Sequence, residues 1–284
     1  MKERITITLD QGLIKQIDKR KTGAGEENRS SKIEKILGDA LGISIPTKAF
    51  VLVGGKGTRL SPLTDNMPKA LVKIGGKTIT EWLFDLFKKY GIREVVLSVG
   101  HMSDKIKEYF EDGGRFGVNI EYVTEDKPLG TAGPIKLAEK MLDDSFIVSN
   151  GDELKCINIP RMYRLHKRKK ALATIALTTV QNPALYGVAR LDGSRIIEFV
   201  EKPNQKDAKS NLINSGFYIL EPEVIEMIPK NKYCMLEKDV FPKLAKEGRL
   251  RGFPFSGQWF DIGSMERLDK ARKMWKGVNV LESD

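Results

Sequence analysis

Apolar and polar positions alternate strictly over residues 3–9. Ile5, Ile7 and Leu9 fall on one side and Arg4, Thr6 and Thr8 on the other, the period of a half-buried strand. The period then lengthens. Leu13, Ile14 and Ile17 recur at helical spacing behind Asp10, whose carboxylate can cap a first turn, and Gly23-Ala24-Gly25 breaks that helix. Ser30 or Ser31 is placed to cap a second helix, with Ile33, Ile36, Leu37 and Leu41 facing inward. One strand and two helices in about 45 residues cannot bury a core alone, so this βαα pattern predicts a partner. Gly42 and Pro46 mark a linker, which divides the chain into a small unit over 1–43, a linker over 44–48 and a large domain over 49–284.

The large domain changes rhythm again. Apolar runs at 49–54, 94–99, 119–124 and 145–149 alternate with amphipathic stretches near 78–90, 103–112 and 131–142. That alternation predicts βαβ units, hence an α/β fold with a mainly parallel sheet. Strands at 172–180, 187–191, 195–200 and 213–220 follow on short connections and suit a mixed sheet folded over the first half as a lid. Ser264 to Trp275 predicts a closing helix on the outside, and Arg161 to Lys170 a basic one, read as a solvated face or an addition to a nucleic-acid surface.

Composition narrows the setting. Of 284 residues, 40% are hydrophobic and 30% charged, ordinary for a soluble globular chain. No apolar run approaches the roughly 18 residues of a membrane span, and Met1-Lys2-Glu3-Arg4 lacks the apolar core of a signal peptide, so a cytoplasmic, membrane-free protein is expected. Cys156 and Cys234 are far apart, and with His101 and His166 they make no metal-finger spacing; ordinary thiols of a reducing compartment and histidines in surface or core roles are expected. A net charge of +10 suits a protein that handles phosphates or nucleic acid without choosing between them.

The densest chemistry lies in Leu52-Val53-Gly54-Gly55-Lys56-Gly57-Thr58-Arg59-Leu60, with Pro68-Lys69 following. Glycines let backbone amides approach an anion, and Arg59 and Lys69 add full charges, so the segment reads as a polyphosphate cradle at a strand's carboxyl end. A ligand-free glycine turn is the alternative for a bare G-G-x-G. The dinucleotide pattern G-x-G-x-x-G fails at Leu60, and the Walker pattern fails because Gly76-Lys77-Thr78 has Leu71 where its first glycine belongs.

Spelled from Gly54 to Lys69, G-G-x-G-T-R-L-x-P-L-T-x-x-x-P-K resembles the signature of the sugar-1-phosphate nucleotidyltransferases, with Val53 where the family usually has alanine. The resemblance covers the chain from about Ala49 onward and implies a Rossmann-like nucleotidyltransferase domain. It implies transfer of a nucleotidyl group from an NTP to a sugar 1-phosphate, with Mg²⁺ as cofactor. In the family pattern Leu52, Gly54, Gly55, Gly57, Thr58, Gly130 and Thr131 hold the nucleotide. Arg59, Lys69 and Asp152 carry the chemistry, and Asp152 with Asp261 binds the metal. Tyr186, Gly187, Glu201, Lys202 and Asn214 hold the sugar phosphate. Taken alone, Asp152 is also a turn aspartate, Asp261 a helix N-cap, and Glu201-Lys202 a solvated pair at a strand end. The stretch from Glu125 through Pro128-Leu129-Gly130-Thr131-Ala132-Gly133-Pro134 looks most like mannose-1-phosphate guanylyltransferases, although uridylyl- and thymidylyltransferases carry similar loops. Ser215 stands where members more often have alanine.

The front unit resembles a ribbon-helix-helix module, in which two chains pair their strands. That resemblance implies a homodimer or higher even oligomer, and operator DNA contacted by Arg4, Thr6 and Thr8; the alternative is a module that only dimerises an enzyme. Two functions follow: an enzyme making a nucleotide sugar, and a DNA-binding regulator that senses one. A bifunctional enzyme that represses its own operon combines them.

Overall fold

The computed structural model describes residues 6–19, 29–41 and 45–278. Two compact units divide the chain, one up to Ser44 and one from Ile45 onward.

In the first unit the helices span Gln11–Lys19 and Arg29–Leu41. Asp10 caps the first as expected, its Oδ1 accepting from the amides of Gly12 at 2.7 Å and Leu13 at 3.3 Å. Ser30 and Ser31 fall inside the second helix, which begins at Arg29. Residues 6–10 form no strand, and Thr6 and Thr8 are exposed; Arg4 lies outside the described residues. A lone ribbon strand has no hydrogen-bonding neighbour within its own chain, which is why alternation by itself does not fix one here.

In the second unit nine strands form one sheet among the described residues: β1 Lys48–Leu52, β2 Glu94–Val99, β3 Asn119–Thr124, β4 Phe146–Asn150, β5 Ala173–Thr179, β6 Gly187–Asp192, β7 Arg195–Glu201, β8 Leu212–Leu220 and β9 Leu250–Pro254. Their order is β3-β2-β1-β4-β8-β5-β9-β7-β6. The first four run parallel, as βαβ alternation requires. Parallel pairing then gives way: β8 is antiparallel to both β4 and β5, β7 is antiparallel to β9 and β6, and only β9 with β5 is parallel. The second half therefore continues the first sheet edge to edge and is not a separate sheet folded over it. β8 makes the junction, and its far end reaches β6 through Ile213 and Val188, so the edge curls back.

Both faces are buried at the centre of the sheet, and β1 shows how. Ala49 and Val51 join the cluster under the helices Ile79–Lys89, Ser103–Phe110 and Ile159–Arg168, while Phe50 joins the opposite cluster with Ile135, Val224 and Phe241. Opposite faces for successive residues is the strand period at work. The helix after β1 starts at a capping box, Thr78 Oγ1 accepting from the Glu81 amide at 3.1 Å and the Glu81 carboxylate accepting from the Thr78 amide. The expected helix over 131–142 contracts to Gly133–Leu137 and a tight turn at Glu139–Met141. The basic helix buries His166, whose ring nitrogens lie 2.8 Å from Thr174 Oγ1 and 3.0 Å from Glu221 Oε1, a core role.

A third apolar cluster, including Leu60, Ile79, Leu154, Ile262 and Leu268, lies beneath the glycine loop. The closing helix Met265–Met274 joins it through Leu268 and Ala271. Its N-cap is Ser264, which accepts from the Arg267 amide at 3.4 Å, and this frees Asp261 for other work. Among the described residues no helix is long and apolar enough to cross a membrane.

Candidate active site

β1 ends at Leu52, and the chain turns through the three glycines at the carboxyl edge of the parallel strands. Gly57 takes a left-handed conformation, φ 68°, and a Cβ there would press on Lys69 and Thr64. Beside it β4 ends at Asn150, and the Gly151 amide donates to Leu52 O at 2.9 Å, seating Asp152 against the loop.

Asp261 arrives by a separate route. A short strand, Glu153–Lys155, pairs antiparallel with Trp259–Asp261, placing Asp261 opposite Glu153. The Ile262 amide then donates to Asp152 O at 3.1 Å. Two aspartates about a hundred residues apart are thus fixed together by backbone pairing.

Two cavities meet at this point. One, about 600 Å³, is lined by Leu52, Gly54, Gly55, Lys69, Glu125, Gly130, Thr131 and Asp152, among others. The second, about 310 Å³, is lined by Arg59, Tyr186, Gly187, Glu201, Lys202, Asn214 and Asp261, with Asp152 again. Asn150 and Asp152 belong to both. The nucleotide set and the sugar-phosphate set expected from sequence therefore separate into adjoining spaces. Gly57 and Thr58 stand outside both linings, shaping the turn behind the first. Arg59 faces the second cavity, not the first. His101 lines the first, where the sequence suggested only a surface or core role.

Charge is concentrated where the cavities join. Lys69, 9% exposed, pairs with Asp152 at 2.6 Å between Nζ and Oδ2. Burial works against the Asp152 charge, but Lys69, with Lys155 and Arg59 behind it, holds that carboxyl below the ordinary carboxylate range. Glu153 moves the other way, pushed up to about 7 by burial; Lys155 pulls it down and the charges of Asp152 and Asp261 add to the rise. Tyr186 donates to Asp261 Oδ2 at 3.2 Å, and Arg267 pairs with the same oxygen. Burial, then the Asp261 charge, pushes the Tyr186 phenol up to about 12. Burial also raises Glu201, helped by Glu237 and opposed by Lys202 at 3.5 Å. Lys202 holds a left-handed backbone, φ 48°, an uncommon conformation for a lysine and one that clusters at functional sites.

Several residues that sequence reasoning passed over complete the site. Lys155 is 1% exposed and donates to Ser149 Oγ, Ser215 O and Gly216 O at 3.0–3.3 Å. Glu237 binds the two cavities into one structure. It accepts from Thr131 Oγ1 at 2.5 Å and from the Tyr218 hydroxyl at 3.1 Å, and that hydroxyl accepts from Asn214 Nδ2 at 2.8 Å. Asn214 Oδ1 is already committed to the Gly216 amide at 2.9 Å, so its side chain holds the frame more than it reaches outward. The only sequence signal for Glu153 and Lys155 is that they lie within three residues of Asp152, and isolated charges beside a strand end read as solvated.

Among the described residues no group of three or more histidine, cysteine or acidic side chains is placed to hold a metal ion unaided. Asp152 and Asp261 nevertheless fit Mg²⁺. They are oxygen donors facing one cavity, and Mg²⁺ takes one or two carboxylates and completes its shell with substrate phosphates and water.

A profile of the nucleotidyl transferase family matches residues 48–276. The chain is 38% identical over 238 residues to a UTP–glucose-1-phosphate uridylyltransferase of Synechocystis sp., covering 77% of this chain and 60% of the relative. It is 40% identical over 225 residues to a mannose-1-phosphate guanyltransferase of Yarrowia lipolytica, covering 76% and 60%. The chain spans about 60% of the length of these curated relatives. Among solved structures, a putative glucose-1-phosphate thymidylyltransferase from Bacillus anthracis superposes with a TM-score of 0.73 at 29% identity, covering 80% of this chain and 94% of that one. A UDP-glucose pyrophosphorylase complexed with UDP-glucose gives 0.71 at 25%, covering 81% and 98%.

Proposed function

The chain belongs to the nucleotidyl transferase family, and on that footing we propose that it transfers a nucleotidyl group from a nucleoside triphosphate to a hexose 1-phosphate, glucose or mannose, with release of pyrophosphate. The observation that carries this reading is the junction of two cavities at Asp152, one beside the glycine loop and one beside Glu201-Lys202. A sugar phosphate is already a nucleophile, so the site needs no general base. It needs to hold two polyanions with the phosphate oxygen in line with the α-phosphorus, and to neutralise charge as it spreads. The glycine-loop amides and Lys69 serve the triphosphate, Lys202 the incoming phosphate, and Arg59 the phosphates at the junction. Asp152 and Asp261 would hold Mg²⁺, which supplies charge neutralisation between the two substrates.

Glu125 favours guanosine. Its carboxylate lines the larger cavity, with Oε2 accepting from the Leu129 amide at 2.9 Å. A carboxylate offers acceptors only, and the pairing edge of guanine presents two adjacent N–H donors. Uracil and thymine instead flank one N–H with two carbonyl oxygens, which a carboxylate repels. Clustering of Arg59, Lys69, Asp152 and Asp261 favours turnover over silent sensing, since a retired site has no need of its charges.

The test is pyrophosphate release from GTP, UTP and dTTP, each with mannose 1-phosphate and glucose 1-phosphate, with and without EDTA. GTP is expected to react fastest, with activity lost in EDTA and restored by Mg²⁺. No release with any pair overturns the transfer; faster reaction with UTP or dTTP overturns only the base.

For the front unit, exposed Ile7, Leu13 and Leu37 favour a dimerising module that completes its apolar face with a second copy; were that pairing to order residues 3–9 as a ribbon, Arg4, Thr6 and Thr8 would be the side chains to meet DNA. Gel shifts with upstream DNA at rising salt test this: steeply weakening retention is expected, and no retention at low salt overturns the DNA contact.

A further inference from the structure

Tyr233 is 64% exposed, the highest exposure of any large apolar or aromatic side chain among the described residues. It stands at the larger cavity, yet none of the hydrogen bonds or ring contacts among the described residues involves its side chain. Its backbone is another matter. The Cys234 amide donates to Leu129 O at 3.0 Å, and the Ala132 amide donates to Cys234 O at 3.0 Å. This clasp shuts the segment around Tyr233 onto the loop of Pro128, Leu129 and Gly130. Gly130 makes it possible: its φ is +80°, and a Cβ there would lie 2.4 Å from Cys234 O. Just before the clasp Asn231 takes a left-handed turn, φ 56°. A bare phenol ring is therefore carried on a backbone pinned at the mouth of a cavity walled by Leu52, Val53 and Pro128.

We infer that Tyr233 is a base-stacking residue, covering the nucleobase of the bound triphosphate at the cavity mouth. The inference rests on the larger cavity being the nucleotide site. A flat π face is what a purine or pyrimidine ring needs, and a tyrosine loses only two side-chain torsions in supplying it. Stacking tolerates any base, so Tyr233 sets affinity for nucleotides in general, whereas Glu125 sets which base is chosen. The anchored backbone explains why an aromatic side chain stays exposed in the free protein: it is held where its partner arrives.

The experiment is calorimetric binding of GTP, UTP and inorganic tripolyphosphate to the full chain and to Tyr233→Ala and Tyr233→Phe, with steady-state kinetics alongside. Tyr233→Ala is expected to weaken both nucleotides by about tenfold or more, the usual loss when a stacking aromatic is truncated. Tripolyphosphate binding should stay unchanged. Tyr233→Phe keeps the ring and should restore nucleotide affinity to within about twofold. In turnover, KM for the triphosphate rises while KM for the sugar phosphate and kcat hold. Equal nucleotide affinity in Tyr233→Ala overturns stacking. An equal loss for tripolyphosphate also overturns it, since the residue would then be shaping the loop. Failure of the unaltered chain to bind any triphosphate overturns the nucleotide reading itself and is seen before any variant is compared.

Discussion

Asp152→Asn is expected to lower kcat by about 10²–10³-fold, the scale of losing one source of transition-state charge stabilisation, because it removes one of the two carboxylates that would hold the neutralising Mg²⁺, while the chain stays folded. Asparagine keeps the shape, and its Oδ1 can still accept from Lys69 Nζ, the partner that Asp152 holds at 2.6 Å. What it removes is the negative charge at the one side chain, besides Asn150, that lines both cavities. Lys69 is then left as a buried ammonium without a counter-ion, so a melting temperature a few degrees lower is also expected. Circular dichroism and nucleotide binding establish that the variant is folded and loaded before turnover is compared. Near-normal kcat in a folded, nucleotide-binding variant would sink the assignment of Asp152 to the reaction.

The second large effect lies beneath the site. Lys155→Met is expected to destabilise the second unit by about 3–5 kcal/mol, the range for removing one partner of a buried charge network. For a domain of this size that corresponds to roughly 10 °C in Tm. The ammonium is 1% exposed and pairs with Glu153 Oε2 at 3.1 Å while donating to two carbonyls of β8. Methionine fills the volume but removes the cation beside Glu153 and one donor from each of the Ser215 and Gly216 carbonyls, leaving the Glu153 carboxylate only the neutral donors Asn150 Nδ2 and Trp259 Nε1. Adding Glu153→Gln should recover part of the loss, because the stranded charge goes with it, and the coupling is read from a double-mutant cycle by thermal unfolding. A single variant that melts within about two degrees of the unaltered chain would show that Lys155 contributes no net stability.

Much of the fold was legible along the chain because both faces of β1, β2 and β4 are buried. Continuous apolar runs such as Phe50-Val51-Leu52 then mark strands, and the amphipathic stretch beginning at Ile79 marks the covering helix. β9 was missed because Leu-Arg-Gly-Phe-Pro mixes charge, glycine and proline, and its place is fixed by pairing with β5 across a long sequence separation. The lid failed for the same reason. Short connections among later strands show that they pair with one another, but only β8, antiparallel to both β4 and β5, shows that they extend the first sheet.

The sequence by itself determined the glycine turn and the charges set beside it. Three glycines with Arg59 and Lys69 at fixed spacing are a local device, and local devices are written in neighbouring residues. Tertiary structure alone decided how that device is divided and held. The Trp259–Asp261 strand brings Asp261 to Asp152, Glu237 ties Thr131 to Asn214 through Tyr218, and Lys155 turns inward beneath Glu153. A charged residue reads the same in sequence whether it faces water or a buried partner. Its role is set by burial and by neighbours that arrive from distant segments, and those exist only once the sheet has closed around them.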